Sequence, residues 1–486
     1  MRALRDLSPQ QWLIPLVLVA LTAGLTILVG WRYGAGVGDS ANPLILAALA
    51  LILVYIIFRH PYWGLGLVIA LLPITESLPK LPFVSSLSPV IGAATLGAFL
   101  FERRRLGLSL FPKRFYLSYV FGLLFVLWIL IANPEAALRS GRGVALLTYF
   151  QLLILLWMGG ELLVNLPINR RVMWFYVAAC LISAWVAIQN SSLGQTFSTE
   201  GKSGLGGISS AARQFAVAFV ILYFLRSSLK RGTQRLLIAV TWIGQIMLLD
   251  GIALTGSRTG ILILAVGIVV ILLSPTSKIR PQRVVVPAII AFTIYSVVPS
   301  TYWDSMWNSI FPALEEGSDT VGIRYELWNT AMRMVQDKPI TGVGVNQFAN
   351  NVLKYSDPLS SDVVVVGAHS IYFSVVAETG VIGFVLFMGM LVCSIFYALR
   401  AAWTLKNQDE AFLAYTWFTV LVLILVGGIT KHDQYDKLLW FTLGACTAME
   451  TLRHRAAVPQ NQQQLLPQRR FIDNTSRGRV KQGFEQ

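Results

Sequence analysis

Charge is scarce in this 486-residue chain: 13% of its residues are charged against 55% hydrophobic, and the mean hydropathy is +0.63. So little charge cannot clothe a soluble globule of this length, which leaves a polytopic membrane protein. Cysteine is scarcer still. Cys180, Cys393 and Cys446 are the only three, each inside an apolar run, so neither a disulfide framework nor a clustered metal site is indicated. A Walker A loop and an HExxH pair are both absent, which removes the sequence basis for ATP-driven transport and zinc hydrolysis. Internal repeats and a soluble catalytic domain are missing too. The first apolar run is too long for a signal-peptide core and lacks a convincing cleavage site, so it is expected to stay as a helix.

What the chain does have is a succession of apolar runs able to span about 30 Å of hydrocarbon. They begin near Trp12, Pro43, Tyr62, Val84, Phe115, Gly143, Val172, Ala211, Leu236, Thr259, Val284, Ile371, Ala411 and Leu438. The expected fold is therefore all-α, with about 12–14 transmembrane helices and one long helical outer loop. The run from Tyr62 is the least regular, because Pro73 and the Pro79 to Pro82 segment interrupt it, and a re-entrant path is open to it. Net charge is +15. In a membrane protein that excess orients helices rather than binding nucleic acid. With the N-terminus inside and the runs alternating, about two thirds of the 39 Lys and Arg residues fall on inner segments. Both termini are then cytoplasmic, and the chain divides into N-terminal helices (1–298), an outer loop (299–370), C-terminal helices (371–455) and a basic cytoplasmic tail (456–486) too poor in apolar residues to pack.

This topology sends four segments to the outer face: the loop with Arg139 and Arg142, the Gly- and Ser-rich stretch from Ser191 to Ser210, the turn Gly256-Ser257-Arg258-Thr259-Gly260, and Pro299 to Ala368. The last is about 70 residues long, well beyond an ordinary connection. Tyr302, Trp303, Trp307 and Phe311 suit a bilayer interface. Ile323, Leu327, Trp328, Ala331, Met334 and Val335 then recur at helical spacing, predicting a surface helix to about Gln336 that stops before Pro339, with a turn at Gly342 and Gly344.

The candidate chemistry lies on these segments. His369 is one of four histidines, placed where the long loop re-enters a hydrophobic helix; an imidazole can exchange a proton near neutral pH. Arg258 opens a helix after a glycine-flanked turn, where free amides and a planar guanidinium can hold an anion together. A snorkelling arginine, or one paired with Asp250 two turns earlier, is the bland alternative. Arg324 and Arg333 lie on the surface helix, where most arginines are simply solvated. Glu378, roughly 12 Å of helix rise beyond Ser370, is expected in the membrane with a partner, as a structural ion pair or a catalytic group. Arg142 and Arg213 start helices and either add to an outward positive basin or anchor the interface. With no paired aspartates in an outer loop to hold a divalent ion, arginines acting in place of a metal are the simplest arrangement. The anion at hand beside an outer membrane face is a lipid-linked phosphate or diphosphate.

Three stretches together resemble the O-antigen ligase and O-antigen polymerase family of bacterial cell-envelope enzymes. They are Ser257-Arg258-Thr259-Gly260; Arg324 through Leu327-Trp328 and Ala331 to Pro339, followed by Gly342-Val343-Gly344-Val345-Asn346-Gln347-Phe348; and His369 with Glu378, Gly380 and Gly383. The resemblance implies a glycosyltransferase of polysaccharide or lipopolysaccharide biosynthesis that takes a glycan from a polyprenyl (undecaprenyl) diphosphate carrier. The acceptor hydroxyl would lie on lipid A-core, another lipid or a glycan, at the outer side of the cytoplasmic membrane. The transfer would be inverting and metal-independent, with no cofactor and no nucleic acid. By the same resemblance Arg258 and Arg324 would grip the diphosphate and His369 would serve the acceptor. Ser370 stands where such proteins often have Asn, and Arg213-Gln214-Phe215-Ala216 departs from an Asn-containing pattern. Ligase and polymerase share these motifs. A membrane anion transporter drawn to the same positive basin, or a structural scaffold, is the reading from another class; the missing repeat and the cost of unpaired intramembrane charge count against them.

Overall fold

The structure is a computed structural model describing residues 52–74, 87–105, 107, 109, 114–138, 145–192, 208–229, 235–255, 257–274, 319–356, 367–431 and 434–457. The runs expected from Trp12 and Val284, the Pro79 to Pro82 segment, the interfacial aromatics Tyr302 to Phe311, Arg142, most of the Gly- and Ser-rich loop and the tail lie outside the described residues.

Among the described residues the regular structure is helical, with no strand. In chain order the helices are α1 (Pro61–Ala70), α2 (Leu87–Arg105), α3 (Leu117–Ala132), α4 (Pro134–Leu138), α5 (Ala145–Leu162), α6 (Leu166–Ser192), α7 (Ile208–Ser227), α8 (Arg235–Thr255) and α9 (Arg258–Leu272). After them come α10 (Asp319–Asp337), α11 (Phe348–Tyr355), α12 (Ile371–Thr404), α13 (Gln408–Gly427) and α14 (Lys437–Ala456). Five described helices (α5, α6, α8, α12 and α13) are long and apolar enough to cross a membrane, and α1, α3 and α9 are shorter apolar helices. The chain is an all-α polytopic membrane protein. The interrupted run from Tyr62 does form a helix, α1, which runs on into a 3-10 turn at Leu72–Ile74. It lies along α6, tied at one end by Arg171 to the Tyr62 hydroxyl (3.0 Å) and at the other by Ser183 to the Pro73 carbonyl (3.1 Å).

Packing follows from small residues and from polar groups that find partners inside the bundle. Gly444 of α14 lies so close to α5 that a Cβ there would fall on the Leu156 carbonyl, the close backbone approach that membrane helices build from small side chains. Arg103, 1% exposed, meets Glu161 at 2.8 Å, and the Asn169 amide accepts from Trp417 and donates to the Leu163 carbonyl. The opposite requirement shows on the outside of α12, where Val381, Val385, Val392, Phe396 and Trp403 are exposed at helical spacing, an apolar stripe suited to lipid.

The connections define the two ends of the bundle. The short links between α5 and α6 and between α12 and α13 share one end, where Arg170 pairs with Asp409 at 3.2 Å and the Leu117 amide donates to Tyr397. At the other end lie the starts of α7, α9, α12 and α14 and the close of α13, together with the small unit formed by α10 and α11.

Candidate functional site

α10 follows the apolar spacing read in the sequence and ends at Asp337, before Pro339. Its inner face, with Leu327, Ala331 and Met334, packs on Val343, Phe348, Val352, Ala368 and Ala377 in a second hydrophobic cluster distinct from the bundle core. α11, which the sequence reading did not anticipate, folds back along α10: Arg333 donates to Glu326 (2.9 Å) and to the Tyr355 carbonyl (3.0 Å), and the Tyr355 hydroxyl donates to Asp337. Arg333 therefore has a packing role in this hairpin. Because the pair is partly exposed, Arg333→Ala is expected to cost no more than about 1 kcal/mol, as read by thermal unfolding in detergent.

The unit is latched to α12 where that helix breaks. Gly380 has φ 68 and ψ −175, so α12 is two helical stretches joined at a glycine. The carbonyls freed by the break are met by protein donors: Ala377 by the Val343 amide (2.9 Å), Glu378 by the Gly344 amide (3.0 Å) and Thr379 by the Trp128 indole (2.9 Å), while the Val381 amide donates to Pro339 (2.8 Å). Gly342 and Gly344, at φ 68 and 105, make the turn, and a Cβ on Gly342 would stand 2.5 Å from the Glu378 carbonyl carbon. Glu378 is buried, and its partners among the described residues are amides rather than an opposite charge. Its carboxylate accepts the Phe348 amide (3.3 Å) at the N-terminus of α11, and the Asn346 amide and the Gln434 side chain turn to it as well. Its place is that of a helix cap.

The histidine stands just before the first stretch of α12. His369 is partly buried at φ 47, a left-handed conformation uncommon for a side-chain-bearing residue and one that clusters at functional sites. It is held from both sides. The Trp328 indole donates to the carbonyl of the preceding Ala368 (3.1 Å) and stacks on Phe373 (5.0 Å, 14°). The Ile371 amide donates to Gly428 (2.8 Å), and the Tyr372 hydroxyl to Leu425 (2.9 Å). Arg324 lies one helical turn before Trp328 on α10, partly buried, on the same helix face as the residue that pins the histidine segment.

Arg258 is the first residue of α9; its backbone is described and its side chain is not. Ser257 caps the helix by accepting the Gly260 amide (3.4 Å), and Thr259 meets Thr430 at 3.1 Å. Arg213 on α7 is 3% exposed and pairs with Asp436 at 2.5 Å. The other oxygen of Asp436 caps α14 at Leu438 (2.8 Å). Asp250 is exposed on α8, five residues before its end, and a pairing with Arg258 lies outside the described side chains.

These contacts share one element, the short connection from Gly428 to Asp436 between α13 and α14. Gly428 receives the His369 segment, Thr430 the start of α9, and Asp436 the buried arginine of α7. The sequence reading missed this hub. Its signal was there, a polar run from Lys431 to Asp436 between two apolar segments, but only the fold ties this connection to residues as far as 223 positions away.

What the fold defines is a polytopic all-α membrane protein in which the start of α9, the buried Arg213 and the His369 segment meet one connection at one end of the bundle. Residues 243–388 match the model of the O-antigen ligase family, and over that segment the resemblance read from the sequence is borne out. The match contains Arg258, Arg324, His369, Glu378 and Gly380; Arg213 and Asp436 fall outside it. A protein of Haemophilus influenzae described as uncharacterized is 22% identical over 359 residues, which is 70% of this chain and 86% of that protein.

Proposed function

We propose that the protein transfers a glycan from a polyprenyl diphosphate carrier to an acceptor hydroxyl, as an O-antigen ligase-like glycosyltransferase of the cytoplasmic membrane whose site faces outward. The observation that carries this reading is the gathering of Arg213, the amide-rich start of α9 at Arg258, and the His369 segment on one connection, Gly428 to Asp436. The excess of Lys and Arg on the segments at the opposite end supports the outward orientation.

The chemistry divides by group. Loss of the carrier places negative charge on a leaving diphosphate, and fixed cations with helix N-terminal amides stabilise that charge most as it develops. Arg258 and Arg324 are assigned to this task, with Arg213 behind them. The Arg213 charge is neutralised by Asp436, so it sets the connection more than it attracts the carrier. His369 accepts the proton of the attacking hydroxyl or orients it. Direct attack by that hydroxyl on the sugar carbon, with the diphosphate leaving from the other face, gives inversion without a metal ion.

Purified protein given carrier-linked glycan and either a lipid acceptor or a second carrier-linked glycan, with and without EDTA, tests the reading. Attachment to the lipid acceptor makes it a ligase; growth of carrier-linked chains makes it a polymerase, which the same site also fits. Anion uptake into liposomes free of polyprenyl lipid, with no transfer, would favour the transporter. In the same assay Arg258→Lys keeps the charge but loses the fork that meets two phosphate oxygens, so a loss of about tenfold or more is expected. Full activity in that variant removes the bidentate contact.

A further inference from the structure

We propose that residues Pro339 to Gly344, which the sequence places in the outer loop, are submerged in the membrane leaflet, with Ile340 in contact with lipid chains. Three independent observations lead there.

The first is the side chain itself. Ile340 is 59% exposed and stands on the break of α12, its carbonyl against Gly380 and its neighbour Pro339 bonded to the Val381 amide. Val381, Ile382 and Val385 are exposed beside it. Ile340 therefore continues the apolar stripe of α12 without interruption, and what covers that stripe covers Ile340 also. Along α12 the cover is lipid.

The second is depth. Trp128, which holds the Thr379 carbonyl, lies four residues inside the end of α3, about 6 Å below it. Asn133, just past that end, is directed at the carbonyls of Thr341 and Gly342. The segment thus sits level with the last turn of an apolar helix rather than above it. The carbonyls freed at Ala377, Glu378 and Thr379 all have protein donors, as backbone must where water is excluded.

The third is a polar boundary. Gln336, Asp337 and Lys338 are exposed immediately before Pro339, so the chain passes from charged to apolar exposure within three residues, as it does at a headgroup level. Submersion gives the loop unit a fixed height. It sets Trp328, and with it the His369 segment, relative to the plane in which a lipid-linked headgroup lies, whatever that lipid carries.

Spin labels test the depth without reference to activity. In a background without the three native cysteines, Ile340→Cys, Val381→Cys, Val385→Cys and Lys354→Cys are labelled singly and reconstituted into phosphatidylethanolamine and phosphatidylglycerol vesicles. Ile340 and Val381 labels are expected to match Val385, with collisions dominated by oxygen, and Lys354 to be dominated by a water-soluble nickel chelate. A nickel-dominated Ile340 label overturns the proposal, as does one reached by neither relaxant. Broadening at Ile340 that disappears on dilution with unlabelled protein would show a second copy covering the face, and that overturns it too.

Discussion

Replacing His369 with alanine is expected to lower glycan transfer by about 10²- to 10⁴-fold, the usual scale for losing a positioned general base, while donor binding stays close to that of the wild type. The split follows from the geometry. The cationic groups belong to α7, α9 and α10, and the backbone of the histidine segment is fixed by Trp328 and Gly428 through main-chain atoms, so removing the imidazole leaves both the anion site and the fold of the segment in place. If the ring accepts a proton, only its neutral form is active, and transfer must rise with pH as the ring loses its proton and then level off. His369→Gln separates the two roles, because an amide can orient a hydroxyl but takes up no proton in this range. Wild-type activity in the Gln variant would falsify the general-base assignment and leave a positioning role.

How much of this could be read beforehand depends on the range of the signal. Helix positions were legible because apolar runs and periodicity are local: the runs from Gly143, Leu236, Ile371 and Ala411 reappear as α5, α8, α12 and α13. α10 was legible for the same reason. α11 was not, since eight residues carry little periodicity and its start is capped by Glu378, 30 positions further on. The break in α12 was also hidden. Gly380 and Gly383 stand in one apolar run, and only the fold separates their roles: Gly380 takes the positive φ of the break against the Ile340 carbonyl, while a Cβ on Gly383 would meet the Thr379 side chain and Trp128.

The site was half legible. Arginine at a helix start and histidine at a helix entry are local signals, and those segments were found. What joins them is a matter of contact. Thr430 is 171 positions from Thr259, and Asp436 is 223 from Arg213. Arg333, on the same helix as Arg324, shows the reverse. The two look equivalent in sequence, yet one helical face turns to α11 and the other toward Trp328 and the His369 segment. A sequence gives the charge of a side chain, and only packing gives the direction in which it is used.

Gly380→Ala is expected to disable the protein without touching any group assigned to chemistry. Two costs combine. With φ 68 and ψ −175, the backbone sits in a region essentially reserved for glycine, at about 1–3 kcal/mol for another residue, and the new Cβ would fall on the Ile340 carbonyl. That carbonyl cannot retreat alone, because Pro339 and Val343 on either side of it are bonded to Val381 and Ala377. Relief therefore means detaching the latch, which leaves the Ala377 and Glu378 carbonyls in an apolar setting at about 1–3 kcal/mol each. The loop unit would lose its seat, Trp328 its hold on Ala368, and transfer would fall at least as far as in the histidine variant, with insertion into the membrane unchanged. Hydrogen exchange reports the step directly: the Val343 and Gly344 amides are expected to lose protection, while amides in α5 and α14 keep theirs. Gly322→Ala is the control, since a Cβ there meets nothing within 4 Å and only improves helix propensity. Protected amides at Val343 and Gly344 together with full transfer in Gly380→Ala would mean that the latch does not hold the loop in its working position.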